Sequence, residues 1–433
     1  MGPALGAAVM VRYLESLWKS IRVVSDAPTS APGGLVRSLS LTHAVLYGLG
    51  VTIGAGIYVL VGVLAGRSGM HAPMAFLVAV VPMAFSAASF AELGTRMPVS
   101  ASEAAYVEAA FHRNWLSFAV GLLVLVTATI SAATIASGSS GYIASLLDLP
   151  DALIIAGVVL AMGLVSCLAT AQSVTFAGIL TVLEIGGLLL IIGAGAMLGT
   201  EPLERLPELV PSAGDVTVWI SVLGASLAAV FAFLGFEHLV NISEEMKKPT
   251  HTLPRALFWT LGLTAVLYFL VAWIAVVAVP PAELAQSQAP LALVFQRLTG
   301  LPLATMSAIA ILSTLNGVVV HMIMIARVLY GMARQGLMPR RLGTVSTLTG
   351  TPLLTTGIGV AAILALALTL SLGGLADLAA RGTLVIFAII NAALIRMKTR
   401  ETAPPEKVFV CPLWVPYAGF ISTMALLAAD VLL

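Results

Sequence analysis

Apolar runs of about twenty residues recur along almost the whole chain, and this pattern constrains the fold more than any other feature. A run of that length crosses the hydrocarbon core of a bilayer, where no water is present to satisfy backbone groups, so each run must be helical. Only 9% of the residues are charged, whereas about a quarter are charged in soluble domains. The sequence therefore predicts an all-α polytopic membrane protein.

We predict about eleven transmembrane helices. Their approximate bounds are 41–65, 73–93, 116–138, 152–171, 176–198, 219–240, 256–279, 302–330, 353–372, 380–397 and 412–433. With the N-terminus inside, Lys and Arg collect in the loops on the inner side, as the positive-inside rule requires. This predicts a multi-pass protein of the cell (inner or plasma) membrane with a cytoplasmic N-terminus. The odd number of spans places the C-terminus outside.

The first predicted span contains three glycines in a short stretch, Gly50, Gly54 and Gly56. Glycine weakens a helix, and an interrupted helix exposes backbone groups that hydrocarbon cannot satisfy. We therefore predict that this helix is interrupted and that the interruption faces a cavity. The N–H groups around Gly54, Ala55 and Gly56 would then point at an anionic group such as a carboxylate.

A second interruption is predicted five spans later, in the stretch 231–238, where Gly235, Glu237 and His238 lie within an apolar run. Paired interruptions in corresponding spans of two five-helix halves are typical of a transporter whose site lies at the middle of the membrane. The predicted organisation is a cytoplasmic N-terminal arm (1–38), a first inverted repeat (39–198), a second inverted repeat (199–397), and a cytoplasmic loop with a final helix (398–433).

Several motifs in the right order resemble those of the amino acid–polyamine–organocation superfamily of secondary transporters. They lie at 52–57 (TIGAGI), 91–100 (AELGTRMPVS), 231–237 with 244–249 and 253–256, 313–316 (STLN) and 326–334 (ARVLYGMAR). The resemblance covers nearly all of residues 40–425 and is nearest to the bacterial cationic-amino-acid-transporter-like permeases. It implies a leucine-transporter-like five-plus-five inverted repeat with broken first and sixth helices, working by alternating access. It does not determine the substrate.

The predicted substrate site combines the two interrupted segments with one residue of the eighth span. Its residues are Thr52, Ile53, Gly54, Ala55, Gly56, Ile57, Phe231, Ala232, Phe233, Leu234, Gly235 and Asn316. The first interruption would hold the substrate carboxylate, and carbonyl groups of the second would accept from its ammonium group. The alternative for the glycines is close helix packing, and for the two phenylalanines it is ordinary core packing.

Glu184 lies within the fifth span, and an ionisable residue inside a membrane is a functional hypothesis by default. In the proton-coupled relatives that the chain resembles, a lysine often occupies this position. We predict that Glu184 binds and releases a proton, or that it helps to coordinate Na⁺ with Ser313 and Thr314. The alternative is a protonated glutamate hydrogen-bonded to a neighbouring helix.

Glu237 and Arg327 are predicted to act in gating: Glu237 would tie the broken helix to its neighbours, and Arg327 would pair with a carboxylate at the inner gate. His238 and His321 are more typical of core residues than of proton carriers. His321 is a minor candidate for substrate selectivity.

The sequence favours a secondary active amino-acid transporter, namely a proton-coupled symporter or exchanger of neutral amino acids. The predicted pocket, which also includes Thr127 and Ser131, has no carboxylate facing a basic side chain. The alternatives are a polyamine or cationic amino-acid carrier, a Na⁺-coupled symporter, and a non-transporting sensor on the same fold. We expect the partners to be the amino acid or amine, H⁺ or Na⁺, and membrane lipid. No enzyme motif, cofactor, metal or nucleic-acid partner is predicted.

Overall fold

The computed structural model describes residues 39–98, 102–168, 174–334, 336, 338–346, 351–401 and 407–432. Across these residues the chain is helical, with a single isolated β-bridge between Leu39 and Met246. The predicted N-terminal arm, 1–38, lies outside the described residues.

The α-helices are, in chain order, α1 (Leu41–Ser68), α2 (Ala72–Arg96), α3 (Ser102–Phe111), α4 (Asn114–Ala144), α5 (Asp151–Leu168), α6 (Val174–Gly195), α7 (Glu201–Glu204), α8 (Val216–Phe233), α9 (Pro249–Ala278), α10 (Pro281–Gln286), α11 (Pro290–Thr299), α12 (Leu303–Arg334), α13 (Leu353–Thr369), α14 (Leu372–Arg400) and α15 (Trp414–Leu432). Short 3₁₀ helices occupy Gly69–His71, Ala196–Leu198, Leu206–Leu209, Phe236–Glu245 and Arg340–Gly343.

Each predicted span overlaps an α-helix of the structure. In the described part of the chain, seven helices are long and apolar enough to cross a membrane. Their apolar character extends to the outer surface, where large side chains such as Leu160 on α5 and Val266 on α9 are more than half exposed. Such a surface is suited to hydrocarbon, and the prediction of an all-α polytopic membrane protein is confirmed.

Helix α1 lies at the centre of the bundle and packs on α6, α8, α9 and α12. Its glycines permit close approach: a Cβ on Gly56 would lie 2.4 Å from the Cα atom of Ala232, and one on Gly50 would lie 2.0 Å from the hydroxyl of Thr181. Neither distance leaves room for a methyl group. The glycines of the first motif thus allow α1 to contact α8 and α6.

The structure differs from the sequence-based prediction in α1, which is continuous from Leu41 to Ser68. The predicted interruption at the glycine motif is absent. A glycine within a helix costs only about 1 kcal/mol relative to Ala, while opening a buried helix would leave several backbone groups without partners. Close packing, the alternative that the sequence left open, accounts for Gly50 and Gly56.

The start of α1 is joined to the chain that precedes α9. The Leu39 amide donates to the carbonyl of Glu245 at 2.9 Å, and the Lys247 amide donates to the carbonyl of Leu39 at 3.0 Å. These two bonds link the first membrane helix to the end of the 3₁₀ segment Phe236–Glu245, which follows the second predicted interruption.

A buried ionic cluster joins the ends of α2 and α14 to the residues before α15. Glu92, whose side chain has no exposed surface, forms an ion pair with Arg96. Each of its two carboxylate oxygens also lies 2.8 Å from the Lys398 ammonium, which donates to them. The amide of Cys411 donates to the same carboxylate at 2.8 Å. Burial, together with the nearby Glu92 carboxylate, raises the pKa of the Cys411 thiol to about 12. The cluster therefore holds the chain at Cys411 against α2.

Candidate substrate site

The second predicted interruption is present at the end of α8. This helix ends at Phe233, Leu234 is extended (φ −63°, ψ 141°), and Gly235 has φ +120°. A side chain at Gly235 would be strained in that conformation, and its Cβ would also lie 2.8 Å from the carbonyl oxygen of Val51. Only glycine fits the backbone at this point, so the motif residue and the break coincide.

Glu237 holds the chain after the break. One oxygen of its buried carboxylate accepts a 2.8 Å hydrogen bond from the Gly235 amide. This amide would otherwise lack a partner, because it precedes the 3₁₀ helix and has no helical carbonyl to reach. The structure thus places Glu237 at the turn itself.

One predicted site segment lies on α1 and the other at the end of α8. The two segments contact each other, and a tyrosine joins them. The hydroxyl of Tyr268, on α9, lies 2.9 Å from the carbonyl oxygen of Thr52 and 2.9 Å from that of Ala232. Tyr268 is fully buried. Its hydroxyl therefore bridges the backbone of both segments.

The remaining predicted backbone residues are buried around this contact. Thr52, Ile53 and Ile57 have at most 2% of their surface exposed, and Phe231 has 5%. Phe233 packs instead with Phe76 and Tyr268, at ring-centroid distances of 6.1 and 5.4 Å. Phe233 is thus part of an aromatic cluster. Gly54 and Ala55 lie within the helical backbone of α1.

Glu184, on α6, faces Asn316 and Ser313 of α12. The Asn316 amide donates to Oε1 of Glu184 at 3.3 Å, and the Ser313 side chain also hydrogen-bonds to this carboxyl group. Its Oε2 atom is buried and has no hydrogen-bond partner among the described residues. Thr314 hydrogen-bonds back to the Ala310 carbonyl at 2.9 Å. The structure therefore joins Glu184 to Ser313, one of its two predicted partners, and to Asn316, which was predicted as a substrate-site residue.

Glu184 also contacts α1 through its backbone. The hydroxyl of Tyr58 donates to the backbone carbonyl of Glu184 at 2.7 Å. The Thr52 hydroxyl is buried with no partner in the described part of the chain. Unpaired buried polar atoms are uncommon in native proteins, and each calls for a ligand, a water or a proton as its explanation.

A small cavity lies beside the break of α8, with a volume of about 30 Å³. Its polar lining comes from four helices and from the chain after the break: Glu103, Thr127, Ser131, Glu237, His238, His321 and Thr383. A cavity of this size and polarity can hold a water molecule. It contains the predicted pocket residues Thr127 and Ser131, and it adds two carboxyl groups and two imidazoles.

The two histidines face each other, with ring centroids 6.1 Å apart. The Nδ1 atom of His321 donates to the Gly317 carbonyl at 2.9 Å, while Nδ1 of His238 has no partner among the described residues. Glu103 lies on the short helix α3, which is not one of the predicted membrane spans, and its side chain lines the cavity. Burial, together with the Glu237 carboxylate, raises the pKa of Glu103 to about 7.

In the described residues no cluster of three or more His, Cys, Asp or Glu side chains could hold a metal ion. The side chain of Arg327 lies outside the described residues, although its backbone belongs to α12. Its predicted gating role therefore stays a prediction.

A model of the amino acid permease family matches residues 39–432, which include every helix described above. The chain belongs to this family.

Individual relatives of this permease differ in what their names say they carry. The branched-chain amino acid permease BcaP of Bacillus subtilis is 28% identical over 408 residues, covering 89% of this chain and 86% of the relative. Cationic amino acid transporter 3 of Arabidopsis thaliana is 29% identical over 412 residues, covering 86% of this chain. The match spans 64% of that relative's length. The methylthioribose transporter of Bacillus subtilis is 26% identical over 430 residues, covering 94% of this chain and 91% of the relative.

Sequence reasoning missed two residues of the site in this permease, Tyr268 and Glu103. Tyr268 lies at the middle of the largely apolar run LTAVLYFLVAW, and a tyrosine hydroxyl at that depth in a span was the available signal. Glu103 lies beyond the predicted end of the second span, in a stretch without strong periodicity. Its entry into the cavity depends on how α3 folds back, which the local sequence does not encode.

Proposed function

We propose that this permease is a secondary active transporter of neutral amino acids, coupled to protons or operating as an exchanger, and that Glu184 carries the coupled proton. The proposal rests chiefly on the unpaired Oε2 atom of Glu184 in a buried site. Burying an ionised carboxylate without a counter-ion is costly, so a proton is the simplest occupant. Among the described residues, no basic side chain contacts Glu184.

Substrate would bind beside this carboxyl group, between α1 and the break of α8. The backbone carbonyls at the end of α8 are suited to an ammonium group, because a helix C-terminus carries partial negative charge. Helix α1 is continuous in this structure, so its amides are paired within the helix. Holding a substrate carboxylate at Gly54, Ala55 and Gly56 therefore requires that α1 opens when substrate enters.

The choice of a neutral amino acid follows from the position of Glu237. One of its oxygens already accepts from the Gly235 amide, which leaves it as a structural support of the break. Thr127 and Ser131 present hydroxyl groups that are compatible with an uncharged side chain. The relative BcaP, which is named as a branched-chain amino acid permease, matches most of the chain.

A second candidate is a carrier of cationic amino acids. The observation that favours it is the presence of two carboxyl groups, Glu103 and Glu237, in the cavity that contains Thr127 and Ser131. A distal ammonium or guanidinium group would pair with them in a conformation with a larger cavity. Several relatives are named as cationic amino acid transporters.

Transport by the purified protein in liposomes tests both candidates. Labelled leucine and labelled arginine are offered with a pH gradient of one unit, acidic outside, with and without Na⁺. One proton per substrate would support about ten-fold accumulation at this gradient. Accumulation of leucine without Na⁺ supports the proposal, and accumulation of arginine alone supports the second candidate. A requirement for Na⁺ would contradict proton coupling.

The variant Glu184→Gln tests whether Glu184 carries the coupled proton. Glutamine keeps the size and the hydrogen bond to Asn316 but cannot release a proton. We expect gradient-driven accumulation to be lost while exchange of labelled for unlabelled substrate continues. Glu108→Gln, at an exposed position on α3, is the control. Undiminished accumulation of substrate by Glu184→Gln would show that Glu184 does not carry the coupled proton.

A further inference from the structure

A second, larger cavity lies at the beginning of α9, away from the substrate site. It is an open groove of about 820 Å³ between the first turns of α9 and the residues that precede α15. We call it the α9 groove, and its main lining residues are His251, Arg255, Phe258, Lys407 and Phe409. Pockets of several hundred Å³ are typical of small-molecule sites.

The polar lining of the α9 groove is basic: it contains Arg255, Lys407 and His251, and among the described residues it includes no acidic side chain. His251 and Arg255 lie four residues apart on one face of α9, and all three side chains are exposed. Within the described ranges, neither the Arg255 guanidinium nor the Lys407 ammonium makes a hydrogen bond or an ion pair. The groove therefore offers positive charge to an anionic group.

The other part of the α9 groove is apolar. Phe258 is 41% exposed, and its ring lies 6.0 Å from that of Phe409. Beyond Phe258 the same face of α9 continues with Trp259, Leu263 and Val266, which are all exposed. From Arg255 to Val266 this face rises about 16 Å along the helix, which is roughly half the thickness of the hydrocarbon core. The basic end of the groove thus opens onto a long apolar surface.

The wall of the groove opposite α9 is held in place by the ionic cluster at Glu92. The amide of Phe409 donates to the hydroxyl of Thr95 at 3.2 Å, and the amide of Cys411 donates to Glu92. The Lys398 ammonium donates to the Cys411 carbonyl at 2.7 Å. Because these bonds are internal to the protein, the groove is formed before any ligand arrives.

The basic and apolar groups of the α9 groove together limit the class of ligand that can bind there. An amino-acid substrate needs an acceptor for its ammonium group, and the described residues of the groove lining supply no carboxylate. A free phosphate would match the basic residues but would leave Phe258 and Phe409 exposed. An anionic phospholipid matches both parts, because its phosphate meets the basic residues while its acyl chains lie along the apolar face of α9.

We propose that the α9 groove is a binding site for one anionic glycerophospholipid. Arg255, Lys407 and His251 bind the phosphate, and Phe258 and Phe409 contact the beginning of the acyl chains. Basic clusters next to membrane helices attract anionic headgroups through the same electrostatics. Here the preformed groove adds a defined position for a single molecule.

Lipid binding to the purified full-length protein in neutral detergent tests the proposal. The probes are 1-palmitoyl-2-oleoyl phosphatidylglycerol and the corresponding phosphatidylcholine, and bound lipids are counted by native mass spectrometry across a titration. We expect one phosphatidylglycerol to bind more tightly than the rest and more tightly than phosphatidylcholine. Arg255→Gln should weaken this first binding event roughly five-fold, the effect of about one basic group near a membrane surface. Arg255→Lys should retain most of it.

Arg341→Gln is the matched control, because it removes the same charge from an exposed position outside the groove. Equal weakening by Arg255→Gln and Arg341→Gln would mean non-specific attraction and would overturn the proposal. Displacement of the lipid by millimolar inorganic phosphate, or equal binding of phosphatidylcholine, would also overturn it. An equal loss of thermal stability in Arg255→Gln with and without phosphatidylglycerol would also overturn it, since the contribution of Arg255 to stability would then be independent of the lipid.

Discussion

Replacing Glu103 by glutamine should make the stability of this protein less dependent on pH. Glu103 is 6% exposed, and burial raises its pKa from the ordinary 4.5 to about 7. The folded state therefore favours the neutral carboxyl group. The stability that this group contributes is fully present below about pH 4.5 and is lost as the pH rises through about 7.

The size of the effect follows from the two pKa values. Their difference, at about 1.4 kcal/mol per pH unit, corresponds to about 3 kcal/mol of unfolding free energy between pH 4.5 and pH 8. A chain of this length has an unfolding entropy that makes 1 kcal/mol equivalent to roughly 1 °C in melting temperature. Wild type should therefore lose roughly 3 °C more than Glu103→Gln over this pH range.

The assay is thermal unfolding of both proteins in detergent, measured at half-unit steps from pH 5 to pH 8. Glu103→Gln should melt at a higher temperature than wild type at pH 8, and the two should converge at pH 5. Glu108→Gln, on the exposed side of the same helix, should follow wild type throughout. Parallel curves for wild type and Glu103→Gln would refute the reasoning, since Glu103 would then titrate as an exposed glutamate does.

Two further substitutions test the break of α8 and the ionic cluster. Gly235→Ala places a Cβ 2.8 Å from the Val51 carbonyl oxygen at a residue with φ +120°. We expect the free energy of unfolding to fall by about 2 kcal/mol or more in denaturation experiments. Unchanged stability would contradict the strain argument. Lys398→Met leaves the buried Glu92 carboxylate with one ion-pair partner fewer and should cost about 3–5 kcal/mol. Adding Glu92→Gln to Lys398→Met should recover part of that loss, and a double variant no more stable than the single one would contradict the charge explanation.

The helices of this protein are readable from its sequence because hydropathy is a local property. Each apolar run must become a helix when no water can satisfy its backbone, whatever its neighbours are. The second interruption was also predictable, because Gly235 and Glu237 stand out within an apolar run. Glu92 and Arg96 form a pair four residues apart, so their contact follows from helix geometry alone.

The outcome at the first glycine motif depended on the tertiary structure. Glycine is compatible both with a broken helix and with close packing, and the sequence does not distinguish them. The position of Ala232, whose Cα lies 2.4 Å from the site of a Cβ on Gly56, accounts for the glycine within a continuous α1. A distance between residues far apart in the chain is set by helix packing, which no local pattern records.

The sequence by itself determined that this chain is an all-helical membrane protein of the amino acid permease family, with a break at Gly235 and a carboxyl group at Glu184 inside a span. Only the tertiary structure decided which buried polar groups have partners. It joined Glu184 to Asn316, Tyr268 to the carbonyls of two helices, and Glu103 to the cavity beside the break. The physical reason is that hydrophobicity and helix breaking act on neighbours in sequence, whereas hydrogen bonding and burial depend on groups that packing brings together.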